Sequence, residues 1–168
     1  EDCYEMILKF KSLGHQVSHL PLLKVSKMSH DEINFSEFKG IIFTSANAIR
    51  FTDFKKINKN LSCFCVGAAT EKKARKVGFQ NVIGAEGNVA NLKELILQSF
   101  HQKDGRLIYF SGETISQDLD KQLLKEEYDI KRIINYKTDH NDEFDKNFVT
   151  EIKSKIPDIV YVYSQNSA

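Results

Sequence analysis

Residues 40–47 read GIIFTSAN, and a related pattern, DIVYVYSQNS, occupies residues 158–167. In each stretch, a short apolar run of the kind that forms a buried strand leads into Ser-x-Asn and a small residue. Ser and Asn at that place suit the turn and the N-cap of a following helix. Two copies of one strand-to-helix junction predict two related α/β lobes. A helical pattern follows the first copy only, so we expect the lobe that contains the second copy to be incomplete.

The spacing of apolar residues predicts that strands alternate with helices along the chain. A helix is expected over residues 3–13 and a strand over residues 16–20, before the central series begins. The central series comprises strands at 40–44, 62–66, 81–83, 106–110 and 130–136, with helices at 46–56, 69–77 and 88–100 and a fourth helix from 114. That fourth helix is predicted from the capping-box pattern TISQ at residues 114–117. Five strands with intervening helices make a complete doubly wound α/β unit.

This series divides the chain into a central unit and two outer segments. We interpret residues 38–137 as lobe two, and residues 1–30 together with 139–168 as parts of a discontinuous lobe one. Linkers are placed near residues 22–37 and 137–142, where the chain crosses between the lobes.

The outer segments contain too few elements for a second lobe. A helix carrying Phe144, Phe148 and Ile152 and a strand over residues 159–163 are expected there. Because the chain opens inside a helix, we expect a strand to precede it. We also expect the reading frame to continue beyond residue 168 by roughly 80 to 100 residues, which would match the size of the central lobe.

Composition excludes several classes of function. A formal net charge of +1 with mixed charges argues against a general nucleic-acid binder. No apolar run approaches the roughly 20 residues of a membrane span. The three cysteines, Cys3, Cys63 and Cys65, include no C-x-x-C pair, which favours reduced core thiols and a reducing, cytoplasmic compartment. The five histidines have no metal-ligand spacing, so no metal site is expected.

Four strand-to-helix junctions carry the residues best suited to ligand binding. Most of these junctions are predicted to lie at the carboxyl ends of parallel strands, where open α/β sheets bind ligands. Free backbone N–H groups and the positive end of a helix dipole favour carboxylates or phosphates there. Each junction alone is more typical of ordinary helix capping, but for the four together a rim that binds a polyanion competes with that interpretation. The junctions are Thr44-Ser45-Ala46-Asn47, Val66-Gly67-Ala68-Ala69-Thr70, Gly87-Asn88-Val89 and Ser111-Gly112-Glu113-Thr114.

Tyr136 ends the fifth strand of the central series, beside the predicted crossing between the lobes. Its phenol could donate a hydrogen bond or a proton to a ligand in the cleft. The alternative is an aromatic side chain that packs at the edge of a domain.

The junctions, in their order along the chain, resemble the uroporphyrinogen-III synthase family. The resemblance is carried by FxGIIFTSANA at 38–48, CVGAAT at 65–70, LIYFSGE at 107–113 and NYKT at 135–138. Each motif is degenerate, and the ordered set over nearly the whole chain carries the weight. Residues 159–168 look like the strand by which that family re-enters its first lobe. Glu126 and Glu127 stand at the end of the helix that precedes NYKT, where that family usually has a glycine.

The resemblance implies two flavodoxin-like or Rossmann-like doubly wound lobes with parallel sheets, joined by a two-stranded linker, with lobe one incomplete in this chain. It further implies a lyase of haem biosynthesis. The substrate would be the linear tetrapyrrole hydroxymethylbilane, cyclised to uroporphyrinogen III with inversion of ring D and loss of water. No cofactor, metal, nucleic acid or membrane would take part, and we expect a monomer.

Site residues follow from the same resemblance. Tyr136 is expected to act on the leaving hydroxyl of the substrate, as a hydrogen-bond or proton donor. The residues expected to bind substrate carboxylates are Ser45, Ala46, Asn47, Thr70, Asn88, Ser111, Gly112, Glu113 and Ser164. Two alternatives stay open at this point: a two-lobed anion-binding sensor without turnover, and a truncated, inactive synthase.

Overall fold

The computed structural model of the protein describes residues 3–141 and 146–162. The chain divides into two compact units: residues 1–24 with 139–168, and residues 25–138. The second unit contains most of the regular structure and both clusters of buried apolar side chains. The division into lobes drawn from the sequence stays an interpretation.

A six-stranded sheet organises the chain. Its strands are β1 (Leu23–Lys27), β2 (Phe38–Phe43), β3 (Ser62–Val66), β4 (Asn81–Ala85), β5 (Arg106–Gly112) and β6 (Ile130–His140). Their order is β1-β6-β5-β2-β3-β4, and the five strands from β2 to β6 pair in parallel. β1 runs opposite to β6, with Met28 N–H donating to the Asn135 carbonyl at 2.9 Å and Asn141 N–H to the Leu22 carbonyl at 2.9 Å.

Helices cover both faces of this sheet. They are α2 (Ala46–Arg50), α3 (Ala68–Lys76), α4 (Val89–Ser99) and α5 (Leu119–Lys125), with short 3-10 helices at Phe35–Glu37 and Gln102–Asp104. Buried residues of α2 and α3 belong to one apolar cluster, and buried residues of α4 and α5 belong to the other. The α/β class and the doubly wound parallel sheet predicted from the sequence are therefore confirmed.

β2 shows why this sequence is a central strand. Ile41 and Phe43 lie in the cluster under α2 and α3, while Ile42 lies in the cluster under α4 and α5. All three are fully buried, as expected of a parallel strand that is covered on both faces. An unbroken apolar run, without polar alternation, is what such a strand requires.

In the smaller unit, α1 (Tyr4–Ser12) confirms the first predicted helix. The strand predicted at residues 16–20 is wrong, since these residues form no regular element and the first strand begins at Leu23. An extended segment becomes a strand only where a neighbouring backbone accepts its hydrogen bonds. β1 finds that neighbour in β6.

Three further sequence predictions need correction. α2 ends at Arg50, not at residue 56, because the Thr52 hydroxyl bonds back to the Ala48 carbonyl at 2.8 Å and the Asp53 carboxylate accepts from Lys55 N–H at 3.0 Å. The helix predicted from residue 114 begins only at Leu119. Residues 159–162 are exposed and form no strand, and Tyr163 lies outside the described residues.

Glu127 replaces the usual glycine after α5. It adopts the left-handed conformation, with φ 63°, and its N–H donates to the Leu124 carbonyl at 3.1 Å. Tyr128 N–H closes the same turn on the Leu123 carbonyl at 3.1 Å. The helix end is therefore the turn that glycine ordinarily makes, built here with a glutamate.

The three cysteines are free, as predicted. Cys63 and Cys65 are buried on one face of β3, with their sulfur atoms 3.9 Å apart. The hydrogen bond between the two thiols, together with burial, raises the pKa of Cys63 far above its ordinary value. A protonated, buried thiol of this kind acts as a packing group, because the thiolate is the nucleophile and metal ligand.

Gly40 provides a test of this packing. A Cβ at position 40 would lie 2.5 Å from Leu107 Cδ2 and 3.3 Å from the Phe100 ring. Both residues belong to the apolar cluster under α4 and α5. We expect Gly40→Ala to lower the free energy of unfolding by about 1–3 kcal/mol through overpacking. Urea denaturation measures the change, and Lys39→Ala, with an exposed side chain one residue away, is the control. Equal stability of Gly40→Ala and the unmodified protein would contradict this packing.

Candidate functional site

A crevice lies where β2 and β5 are neighbours in the sheet. The chain leaves β2 through α2 on one face and leaves β5 through α5 on the other. Such a change of direction opens a crevice at the carboxyl ends of the two strands, where α/β sheets bind ligands. The ends of the strands are held together by their pairing, with Phe43 opposite Phe110 and their rings stacked at 5.8 Å.

A cavity of about 170 Å³ occupies this crevice. All nine of its lining side chains are uncharged, and most carry a hydroxyl or amide group. They are Thr44, Ser45, Val89, Tyr109, Thr114, Ile115, Ser116, Gln117 and Tyr136. The cavity therefore brings together Ser45 and Tyr136, which the sequence placed in one site from positions 91 residues apart.

A larger depression of about 520 Å³ lies at the other end of the strands, near the amino ends of β5 and β6. It is lined by His101, Gln102, Lys103 and Glu127, which precede β5 and β6. These four side chains are exposed. We place the functional site at the smaller cavity, because the carboxyl ends of the parallel strands and the helix starts lie there.

Ser45 begins α2 as the sequence predicts. Its hydroxyl accepts a hydrogen bond from Asn47 N–H at 3.2 Å, which is N-cap geometry. Ala46 and Asn47 form the first turn and are half-buried. Of these three residues, only Ser45 lines the cavity.

Tyr136 is held between two neighbours. Its ring lies over Gly112, so close that a Cβ on Gly112 would be 2.7 Å from ring atom Cζ and 3.0 Å from the hydroxyl oxygen. On another side the ring stacks on Phe51 at 6.4 Å. Its backbone carbonyl accepts Glu113 N–H at 2.9 Å. The phenol thus lines the cavity from a fixed position. The ring packs on its neighbours, and its contact with a ligand stays a prediction.

Ser111 and Glu113 differ in exposure. Ser111 is fully buried, and its hydroxyl donates to the Gly112 carbonyl at 3.1 Å and accepts from Arg132 Nε at 2.7 Å. The Glu113 side chain is exposed. Binding of substrate by Ser111, Gly112 and Glu113 stays a prediction, and their observed bonds are to the protein itself.

Two other predicted residues lie at helix starts that follow the carboxyl ends of β3 and β4, but they do not line the cavity. Thr70 is buried in the first turn of α3. Asn88 caps α4, its side-chain oxygen accepting from Ala90 N–H at 2.9 Å and Asn91 N–H at 3.2 Å. Its neighbour Val89 lines the cavity. Ser164 lies outside the described residues.

Tyr109 is a site residue that the sequence analysis missed. Its hydroxyl is 3.0 Å from the Thr44 hydroxyl, which joins the end of β2 to β5 at the cavity. Burial raises the pKa of Tyr109, and the Thr44 hydrogen bond acts in the opposite direction. The phenol therefore stays protonated at neutral pH. The signal in the sequence was a tyrosine in an otherwise apolar strand, since a buried phenol needs a polar partner.

The loop at residues 114–117 is the second missed feature. The capping box predicted there does not form, and the loop instead lines the cavity. Among the hydrogen bonds of the described residues, none is donated by the backbone N–H groups of residues 114–117. Backbone N–H groups that make no bond within the protein can donate to an anionic ligand.

Residues 3–141 and 146–162 contain neither a cluster of metal ligands nor a helix that could span a membrane. No group of His, Cys, Asp and Glu side chains in these ranges could hold a metal ion. No helix in the same ranges is long and apolar enough to cross a bilayer.

Comparisons with known proteins converge on one family. The model of the HEM4 family, described as uroporphyrinogen-III synthase HemD, matches residues 5–168. The crystal structure of uroporphyrinogen-III synthetase from Helicobacter pylori has a TM-score of 0.58 at 19% identity, over 83% of this chain and 62% of that one. A mutant uroporphyrinogen III synthase from the extremely thermophilic bacterium Thermus thermophilus has a TM-score of 0.50 at 14% identity, over 82% of this chain and 59% of that one.

The two solved structures share the fold of this chain. The chain spans about three fifths of the length of each. No curated protein sequence matches it.

Gly112 offers a test of the site geometry. We expect Gly112→Ala to displace the Tyr136 ring from its stack on Phe51, because the new Cβ would overlap the phenol. NMR shifts of the Tyr136 ring protons report the movement. Glu113→Ala, which changes the exposed side chain next in sequence, serves as the control and should leave these shifts in place. Unchanged ring shifts in Gly112→Ala would contradict the observed contact.

Proposed function

The chain belongs to the uroporphyrinogen-III synthase family, and from this premise we propose that the protein cyclises hydroxymethylbilane to uroporphyrinogen III. The reaction inverts ring D and releases water. We further propose that the unit at residues 25–138 contains lobe two of the family's fold, and that the remaining residues are parts of lobe one. A monomeric, cytoplasmic enzyme without cofactor or metal completes the proposal.

The uncharged, hydroxyl-rich cavity at the β2–β5 crevice is the observation that carries this proposal. Hydroxymethylbilane has eight carboxylates and is flexible, so an enzyme must hold it at many points. Neutral donors, such as hydroxyls and unbonded backbone N–H groups, bind carboxylates without burying fixed positive charges. The loop at residues 114–117 and the hydroxyls of Thr44 and Ser45 are such donors.

Tyr136 supports the chemical step. Departure of the substrate hydroxyl as water needs a proton or a strong hydrogen bond at that oxygen, and the Tyr136 phenol at the cavity can supply it. The resulting azafulvene is attacked by the substituted carbon of ring D, which gives a spiro intermediate that reopens and closes to the type III ring. Because the linear substrate closes to the type I ring without enzyme, the main task of the site is to select the attacking carbon by positioning.

The direct test is to incubate the full-length protein with hydroxymethylbilane and separate the uroporphyrinogen isomers. We expect the type III isomer to dominate. A product that matches spontaneous closure, with type I only, would overturn the proposed activity. Tight binding of hydroxymethylbilane without type III product would then identify an anion-binding sensor or an inactive synthase.

Tyr136→Phe tests the donor role within the same assay. We expect the rate of type III formation to fall on the order of tenfold, less than the roughly 100-fold or more typical of general acid catalysis, because ring closure is intrinsically easy. Type III should remain the main product, since the cavity still positions ring D.

Tyr128→Phe is the matched control for this variant. It removes another phenolic hydrogen bond, from Tyr128 to the Phe100 carbonyl at 2.6 Å, before β6 begins at the opposite edge of the sheet. A full rate in Tyr136→Phe would remove the donor assignment and leave the positioning role intact. An equal loss in both variants would assign the effect to stability.

A further inference from the structure

Arg132 holds the turn that follows β5. Its Nε donates to the Ser111 hydroxyl at 2.7 Å, and its Nη2 donates to the carbonyls of Gly112 at 2.9 Å and Glu113 at 3.3 Å. One guanidinium therefore binds three consecutive residues, the last two of β5 and the residue that follows it. Hydrogen bonds from a charged donor are about twice as strong as neutral ones, so this set fixes the path of the chain.

The turn needs such an anchor because the strand ladder is interrupted there. Ser111 is opposite Ile134, whereas Gly112 is opposite Tyr136, so the β5–β6 register shifts by one residue between them. A shift of this kind bends a strand and leaves backbone groups outside the regular pattern. Arg132 binds the carbonyls of Gly112 and Glu113 on the far side of the shift.

The anchored turn leads directly into the cavity. Gly112 lies under the Tyr136 ring, and Glu113 is followed by the loop at residues 114–117 that lines the cavity. We infer that Arg132 is a positioning residue, which keeps that loop at the cavity with its N–H groups available to a carboxylate of the substrate. The inference rests on the proposed function, and it gives a role to a cation that does not itself line the cavity.

Arg132→Met is the decisive variant, because Met fills similar space without hydrogen-bond donors. We expect KM for hydroxymethylbilane to rise on the order of tenfold while kcat changes less than about threefold, since the loop donors hold the substrate carboxylates before and during reaction. Arg132→Lys should recover part of the affinity, because one ammonium can satisfy only part of the forked arrangement. A purely structural role would lower kcat with the folded fraction and leave KM unchanged.

Lys131→Met is the matched control. It removes a cation from the preceding residue of β6, where the side chain is exposed, and should leave KM unchanged. Equal KM values for Arg132→Met and the unmodified protein would overturn the inference.

Amide NMR separates this inference from the proposed function. In Arg132→Met, the amide resonances of residues 112–117 should shift and exchange faster with solvent, while those of β2 and β3 should not. This result is independent of turnover. If the unmodified protein makes no type III product, the proposed function fails, and Arg132 is judged by these amides alone: unchanged resonances would overturn its positioning role.

Discussion

The pairing of β2 with β5 is the contact from which the site follows. It joins residues that lie 67 or 68 positions apart along the chain, through a register that sets Ile41 opposite Ile108 and Phe43 opposite Phe110. Because β3 and β4 extend the sheet on one side and β6 on the other, the pair sits where the chain changes direction. β2 ends at Phe43, opposite Phe110 of β5, so the hydroxyl of the next residue, Thr44, lies 3.0 Å from the Tyr109 hydroxyl at the cavity. Without this pairing, Ser45 and Tyr136 would have no common site.

Tyr136 is placed by its neighbours in β5 and β6. The register shift puts Tyr136 opposite Gly112, where the absence of a Cβ leaves room for the ring. Because of the shift, Asn135 is not opposite any residue of β5. It is fully buried and donates to the Ala48 carbonyl at 2.8 Å and the Thr52 hydroxyl at 3.0 Å. That contact ties β6 to the region of α2. The position of the phenol at the cavity is thus fixed through backbone geometry and local packing.

The sequence predicted the elements whose stability is local or whose burial is complete. The strand at residues 62–66 was correct at both ends because its apolar run and its flanking residues agree. The Ser45 and Asn88 caps were recognisable because a capping side chain bonds within three residues of itself. The strand expected at residues 16–20 and the helix expected from residue 114 failed for the opposite reason. Their outcome depends on partners from elsewhere in the chain, which apolar spacing does not reveal.

The parts of the site that escaped sequence analysis share one physical property. The Thr44–Tyr109 bond spans 65 positions and the Arg132–Ser111 bond spans 21, so neither leaves a local pattern. The donors proposed for the loop at residues 114–117 are backbone N–H groups, which every residue except proline carries. A site built largely from backbone donors and uncharged side chains constrains the path of the chain more than the identity of its lining residues. Gly112 and Arg132 restrict this path most. Neither residue lines the cavity, so the chemistry of the lining residues alone would not identify them.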